Sequence, residues 1–466
     1  MTHCDAPFRR ELCAGHSVRS VVAAGEPMKH RNRALSDLAA AIPRPADLAA
    51  QNASFDAIAT TPDFHPGKPV PVGVVADVRG AVLPHMIGND IGCGMRMIVL
   101  DGVGEVDLSP KLDRVLRHKF FQGGRDIALS GTSRHALLRE GLPGLLESIS
   151  RKRVGMLAAL DMKSAWSDLD HTSDAGVFAA PHIDPGFREY AQLGDELRHD
   201  AILGSIGGGN HFLEFGIVDR VADPRLAYEH RLKPGSVVIV VHSGSLDFGQ
   251  HVGSSTSDLL RRECRPGDDW RILSEGNSIV FERYLNGQAN AVNAAFGNRF
   301  LIGLTAVAAL SESLNRPISH RLIYDAPHNA IWRTGPVARH RKGACPAAAG
   351  EPVILPGSMG DGTWLLMGLG SHEGLASAAH GAGRRLSRQE ARSVAAIDPC
   401  LRVVGPIDAS DKRVRSRPDL LRELAGRLKE ESPAAYRPIE TVVDPMADTG
   451  LVSRVAKIRP ILTVKA

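Results

Sequence analysis

Short continuous apolar runs and stretches of helical period alternate along this chain, and polar residues gather where the apolar runs stop. The clearest run, Val237-Val238-Ile239-Val240-Val241, has no polar break and reads as a strand buried on both faces. It delivers His242-Ser243-Gly244-Ser245 at its C-terminal end. Met95 to Leu100 reads as a strand after Gly88-Asn89-Asp90-Ile91-Gly92-Cys93-Gly94, and Val70 to Val75 as one after Pro62-Asp63-Phe64-His65-Pro66-Gly67. Leu322 to Tyr324 is shorter and ends in Asp325-Ala326-Pro327-His328-Asn329. Val353 to Leu355 and Thr363 to Met367 flank Pro356-Gly357-Ser358-Met359-Gly360 as paired strands, and Ile461 to Val464 is a last strand before Lys465. Helical period appears at Ala34 to Ile42, which Pro43 and Pro45 end, and at Pro110 to Phe120, Leu142 to Leu160, Arg188 to Arg198 and Pro418 to Glu430. A long alanine-rich helical region runs from about Ser278 to Leu314, with Gly287 and Gly297 as candidate interruptions.

These elements predict a mixed α/β (α+β) fold: a single large domain with central sheets and peripheral helices. Residues 1–60 read as an N-terminal helical preface and 61–466 as the catalytic domain. Length would allow three units, but no linker, repeat or low-complexity tract divides the chain. Strand order does not follow from the pattern. The formal charge of +4 does not mark a nucleic-acid binder, although Arg339-His340-Arg341-Lys342, Arg384-Arg385 and the cluster Lys412, Arg413, Arg415 and Arg417 could line a phosphate-binding face. The six cysteines (Cys4, Cys13, Cys93, Cys264, Cys345, Cys400) are far apart and form no CxxC pair, which speaks against a disulfide framework or zinc finger. The N-terminus, with His3, Asp5, Arg9, Arg10 and Glu11, has no apolar run of signal-peptide type. The longest strongly apolar stretch, around Phe300 to Leu310, falls short of the roughly 20 residues of a membrane span. A reducing cytoplasm, away from membranes, is the expected setting.

Candidate chemistry sits at the ends of the apolar runs. His211, His242 and His328 each lie beside such a run or a glycine-rich loop, with small, amide or apolar neighbours. A lone histidine of this kind is more often structural than a ligand. Three of them with Asp90-x-x-Cys93 shift that balance, because imidazole, carboxylate and thiolate hold divalent transition metals and two ions could share the thiolate. The glycines at 204 and 207–209, ahead of Asn210-His211, have the composition of a phosphate loop without the lysine or spacing of a P-loop. Further on, Ser377-Ala378-Ala379-His380-Gly381-Ala382-Gly383-Arg384, followed by Ser387 and Arg388, sets one histidine among small residues. Its two arginines are spaced by four, which on a helix points them to one side. The bland alternative is a tight turn before an amphipathic helix. Together these features point to phosphoryl or nucleotidyl transfer, in which His380 could be a nucleophile or could only bind phosphate.

Ten stretches occur in an order that resembles the RtcB family of RNA-splicing ligases. They are Pro62-Asp63-x-His65, Asp90-Ile91-Gly92-Cys93-Gly94, Gly209-Asn210-His211-Phe212-x-Glu214, His242-Ser243-Gly244-Ser245, His328-Asn329, Arg341-Lys342-Gly343-Ala344, Pro356 to Gly360, His380-Gly381-Ala382-Gly383-Arg384 with Ser387-Arg388, Pro433-Ala434-Ala435-Tyr436, and Val464-Lys465. The resemblance runs from about Pro62 to Lys465 and implies an RtcB-like fold. It implies a GTP- and manganese-dependent RNA ligase that joins a 3′-phosphate or 2′,3′-cyclic phosphate end to a 5′-hydroxyl end through a histidine-GMP intermediate. The implied setting is RNA repair or tRNA splicing, with RNA and GTP as partners and any activating protein unknown. By similarity, Asp90, Cys93, His211, His242 and His328 hold two Mn2+ ions with Cys93 bridging, and His380 carries the guanylate. The implied GTP contacts are Asn210, His211, Phe212, Leu213, Glu214, His328, Asn329, Pro356, Gly357, Ser358, Met359, Thr363, His380, Gly381, Ala382, Gly383 and Lys465, with Tyr436 as a candidate to stack on the base. Arg384 and Arg388 are candidates for RNA phosphate. Thiolate and imidazole hold zinc more tightly than manganese, so availability has to decide the occupant. The chain departs from the family in Leu246 where arginine is usual, Thr363 where serine is common, and Ala466 where glycine is usual. The alternatives are a metal-dependent phosphoesterase on nucleotides or cyclic phosphates, and a noncatalytic RNA-binding relative.

Overall fold

The computed structural model describes residues 8–264, 266–394 and 401–466, so Cys4 and Cys400 lie outside the described residues. Its principal elements begin with β1 (Arg9–Cys13), β2 (His16–Ser20), α1 (Met28–Ala41), α2 (Pro45–Ala50), β3 (Ser54–His65), β4 (Val72–Arg79) and β5 (Gly94–Leu100). They continue with α3 (Pro110–Phe121), α4 (Gly131–Ser150), β6 (Phe212–Val221), β7 (Val237–Ser243), α5 (Asp247–Glu263), α6 (Ser278–Leu314), β8 (His320–Pro327), β9 (Asn329–Thr334) and β10 (Val337–Lys342). The last are β11 (Ala344–Pro346), β12 (Pro352–Pro356), β13 (Thr363–Gly368), β14 (Ser377–Ala379), α7 (Arg388–Val394), α8 (Pro418–Glu430), α9 (Glu440–Asp448) and β15 (Val452–Val464). This is a mixed α+β fold.

Two sheets organise it. The larger, eight-stranded, runs β8-β5-β7-β6-β15-β13-β12 with Val403–Val404 beside β15, and the six-stranded one runs β1-β2-β3-β4-β10-β9. Every residue of β5 and β7 is buried. Their alternate side chains serve two cores: Ile98, Ile239 and Val241 pack with Ile302, Ala306 and Leu310 of α6, while Met97, Val238 and Val240 pack with Ile354, Leu365 and Val455. A strand covered on both faces has no solvent side to be polar, which is why these runs are apolar without a break.

Several elements differ from the sequence reading. Residues 9–13 and 16–20 form a strand hairpin, not part of a helical preface: Val18 and Ser20 turn inward while Ser17 faces solvent, and β2 pairs in parallel with β3 through Ser20↔Thr60. Residues 188–198 form no helix. Asp184 caps a short turn at Pro185–Phe187, which one further bond, from the Ala191 amide to the Phe187 carbonyl at 2.9 Å, extends before the chain leaves helical form. The Gly194 carbonyl is taken by the Thr132 amide at 3.1 Å and the Tyr190 hydroxyl reaches Asp200 at 2.8 Å, so tertiary contacts hold the rest. The helix expected at 142–160 starts at Gly131, kinks at Gly141 and ends at Ser150. α6 runs through both Gly287 and Gly297. At Gly297 a Cβ would lie 2.6 Å from a methyl of Leu137, so that glycine serves close packing against α4 and breaks nothing. By length and composition Ile279–Leu314 could cross a membrane, which the Phe300–Leu310 stretch alone did not suggest; 83% of its apolar window is buried inside the protein. Arg384 lies outside any helix, since α7 begins at Arg388, so the spacing of four carries no helical meaning.

Candidate active site

Strand direction builds the site. β8, β5, β7 and β6 are successive antiparallel neighbours, so the end of β8, the start of β5, the end of β7 and the start of β6 share one rim. His328, Cys93, His242 and His211 stand at those four places. The register pairs His242 with both Met95 and Phe212, and Pro327 with Gly94. β15, β13 and β12 extend the same rim and end or begin at Val464, Thr363 and Pro356.

Cys93 Sγ lies 3.3 Å from His211 Nε2 and 3.2 Å from His242 Nε2, and the ligand atoms of the three residues are all within 4.8 Å of one another. Asp90 Oδ2 is 3.1 Å from His211 Nε2. The imidazoles of His211, His242, His328 and His380 form a row with centroid spacings of 5.3, 5.2 and 4.7 Å. His242 donates its Nδ1–H to the Asn210 carbonyl at 3.2 Å, which leaves Nε2 as a lone pair facing Cys93. The buried Nδ1 of His328 has no partner, as expected of an atom that awaits a ligand. Burial holds His242 and His328 well below the ordinary imidazole range, so both offer the neutral form a metal needs. Burial and then the Asp90 charge push the Cys93 thiol well above its usual value, a shift that a bound cation reverses. Burial would also raise Asp90, but the charge and hydrogen bond of His211 outweigh it and keep the carboxyl ionised. A soft thiolate with neutral imidazoles and a carboxylate fits a divalent transition metal.

His380 follows β14, which β11 anchors by antiparallel pairing. Its Nδ1 donates to Asp63 Oδ2 at 2.7 Å, and its backbone amide reaches the same oxygen at 3.3 Å. Asp63 is fully buried and also accepts from Thr61 Oγ1. Burial would raise its pKa; the hydrogen bond and charge of His380 win and lower it. The sequence reading gave Asp63 no role, although a carboxylate at the inner end of a buried strand requires a partner and that need was the available signal. Lys342, noted in the sequence only within a basic run and a family-like stretch, is half-buried close to Gly88 of the metal loop: desolvation lowers its pKa and the Asp90 charge acts against that shift.

Beside His380 lies a cavity of about 270 Å3, lined by Asn210, Phe212, Glu214, Pro356, Gly357, Ser358, Met359, His380, Gly381, Ala382, Gly383 and Lys465 among the expected nucleotide contacts. Leu213 packs into the core beneath it. Thr363 is buried and bonds Glu214 with Thr463. Asn329 braces the metal loop, donating to the Asp90 carbonyl at 3.1 Å and accepting from the Gly343 amide at 2.7 Å. Burial pushes Glu214 up to about 7 against those threonine bonds, and the buried Ser358 hydroxyl has no partner. Lys465 is tied to the carbonyls of Gly209 at 2.7 Å and His211 at 3.3 Å. At the rim, Arg384 lies 4.8 Å over the Tyr436 ring, donates to its hydroxyl at 2.8 Å and pairs with Glu431 at 3.5 Å. Tyr436 is thus engaged by an arginine. Arg388 pairs more loosely, at 3.6 Å with Glu430.

Fold and site define an α+β protein with a buried cysteine–histidine cluster suited to a divalent metal ion and a cavity of about 270 Å3 beside it. The model of the family "tRNA-splicing ligase RtcB" matches residues 46–466. An RNA-splicing ligase RtcB of Mycobacterium bovis is 30% identical, with 87% of this chain and 95% of that protein covered. The tRNA-splicing ligases RtcB of Thermococcus kodakarensis and Pyrobaculum aerophilum are 29% and 28% identical, each with 87% of this chain and 86% of the relative covered. The chain belongs to the RtcB family.

Because a thiol must ionise for the metal, Co2+ titration is expected to produce a thiolate-to-cobalt absorption band in the near ultraviolet and to release a proton, read from calorimetry in buffers of different ionisation enthalpy. Cys93→Ala is expected to abolish the band.

Proposed function

We propose that this chain is a GTP- and manganese-dependent RNA ligase that joins a 3′-phosphate or 2′,3′-cyclic phosphate end to a 5′-hydroxyl end, in RNA repair or tRNA splicing. Family membership supports the end-joining of RNA. The observation that carries the mechanism is the bond from His380 Nδ1 to the buried Asp63, which leaves Nε2 as the free lone pair of a ring at the cavity wall. Nε2 attacks the α-phosphorus of GTP; an N–P bond forms, the bond to the β-phosphate oxygen breaks, and pyrophosphate leaves. Asp63 holds the Nδ1 proton and offsets the positive charge that the ring gains. GMP then passes to the RNA 3′-phosphate as the N–P bond breaks, and the 5′-hydroxyl displaces GMP from that activated end to make the phosphodiester. A cyclic phosphate is first hydrolysed to the 3′-phosphate. Two Mn2+ ions, held by Asp90, Cys93, His211, His242 and His328, would supply charge neutralisation at the phosphates.

In the cavity, Glu214 is suited to accept from the N1–H and amino group of guanine, Lys465 to donate to its carbonyl, and Ser358 to find its missing partner on the nucleotide. The reading places the enzyme in the reducing cytoplasm, which keeps Cys93 a thiol.

Intact mass after incubation with GTP and manganese is expected to show one GMP adduct, absent from His380→Ala; no adduct with any of several divalent metals contradicts the reading. Asp63→Asn is expected to slow adduct formation by about 10²–10⁴-fold. Glu214 is protonated below about 7 and then loses acceptor capacity, so GTP affinity is expected to rise between pH 6 and pH 8. Glu214→Gln is expected to flatten that rise and weaken discrimination of GTP from ATP in a binding titration.

A further inference from the structure

The family match begins at residue 46, yet the segment before it reaches His380 through buried charge. Glu26, two residues ahead of α1, has no exposed side-chain surface and pairs with Arg437 Nη2 at 2.6 Å and Arg31 Nη1 at 3.4 Å. Burial opposes its ionisation, but the His30 hydrogen bond and the charges of Arg437 and Arg31 outweigh that and hold the carboxyl below its ordinary value. Arg437, 5% exposed, donates to the carbonyl oxygens of Phe64 at 3.1 Å and Asp63 at 3.4 Å. Its backbone amide binds the Gly383 carbonyl at 3.1 Å. A Cβ on Gly383 would lie 2.5 Å from Arg437 Nη1 and 2.8 Å from the Asp63 carbonyl oxygen, so the three groups are in direct contact.

The Arg437 fork therefore spans Asp63-Phe64, which grips His380 from one side, and the Gly381–Gly383 loop that leaves it on the other. A guanidinium buried among carbonyls needs a counter-charge to stay in place, and Glu26 supplies it from outside the family match. Backbone bonds fasten the same segment at both ends: Val21 N to the Thr60 carbonyl at 3.1 Å and Ala24 N to the Thr441 carbonyl at 3.0 Å.

We propose that Glu26 and Arg437 are positioning residues for His380, so that the N-terminal segment sets the geometry of guanylylation. This rests on His380 being the nucleophile. The test is single-turnover guanylylation of the full chain with α-labelled GTP and manganese, comparing the parent enzyme with Glu26→Gln and Arg437→Lys. Amplitude counts folded molecules, while the rate constant reports geometry, so partial unfolding of a variant does not obscure the answer. The expected result is a rate constant lowered about tenfold or more in both variants, with half-saturating GTP within about twofold of the parent. An unchanged rate constant at reduced amplitude, or a loss confined to GTP affinity, overturns the proposal and leaves His380 as nucleophile standing. A parent enzyme that forms no adduct overturns the reading beneath it, and this inference with it.

Discussion

The carboxylate of Asp325 has no exposed surface and is shared by two buried guanidiniums, Arg299 at 2.8 Å and Arg96 at 3.2 Å. Arg299 also donates to the carbonyls of Gly92 at 2.6 Å and Ser243 at 3.1 Å, the neighbours of Cys93 and His242, while Asp325 lies on the strand that leads into His328. Asn298, next to it on α6, takes the amides of Gly204 and Ser205 and donates to the carbonyl of Gly244. One turn of a core helix thus ties together the segments that carry the metal ligands. Losing one partner of such a buried pair costs about 3–5 kcal/mol, a large share of the roughly 5–15 kcal/mol that keeps a domain folded. The metal centre depends on this clamp before it depends on any metal.

The strands bring the ligands to one rim, and desolvation then does the chemical preparation. Buried His242 and His328 stay neutral, the buried thiol resists ionisation until a cation arrives, and His380 is set apart from its three neighbours because Asp63 takes its Nδ1. Leu246 caps the start of α5 at φ 54°, a left-handed backbone that costs a non-glycine residue on the order of 1–3 kcal/mol, and its methyl lies close to Gly207 and the loop of His211. It brings no charge where the family resemblance leads one to expect an arginine. Among the cavity-lining residues the cations are Arg384, Arg388 and Lys465, each with a carboxylate of Glu430 or Glu431 nearby.

Strands buried on both faces were legible because their apolar runs have no other use, and so were the histidines and Cys93 at their ends. Sheet order was not legible: β15 sits between β6 and β13, a neighbour relation set by packing far along the chain. Asp63 escaped notice because its role exists only through His380, 317 positions away. β1 and β2 are rich in arginine and serine and carry weak strand signals, so the preface read as helix alone. The pairing of Glu26 with Arg437 has no local trace at all.

Joining of RNA ends tests the central claim most directly. A 3′-phosphate RNA labelled at its terminal phosphate is incubated with a 5′-hydroxyl RNA, GTP and manganese. The predicted product is a joined strand whose labelled phosphate resists phosphatase because it has become the junction. Label that is released, or that stays phosphatase-sensitive with no joined strand, contradicts the account.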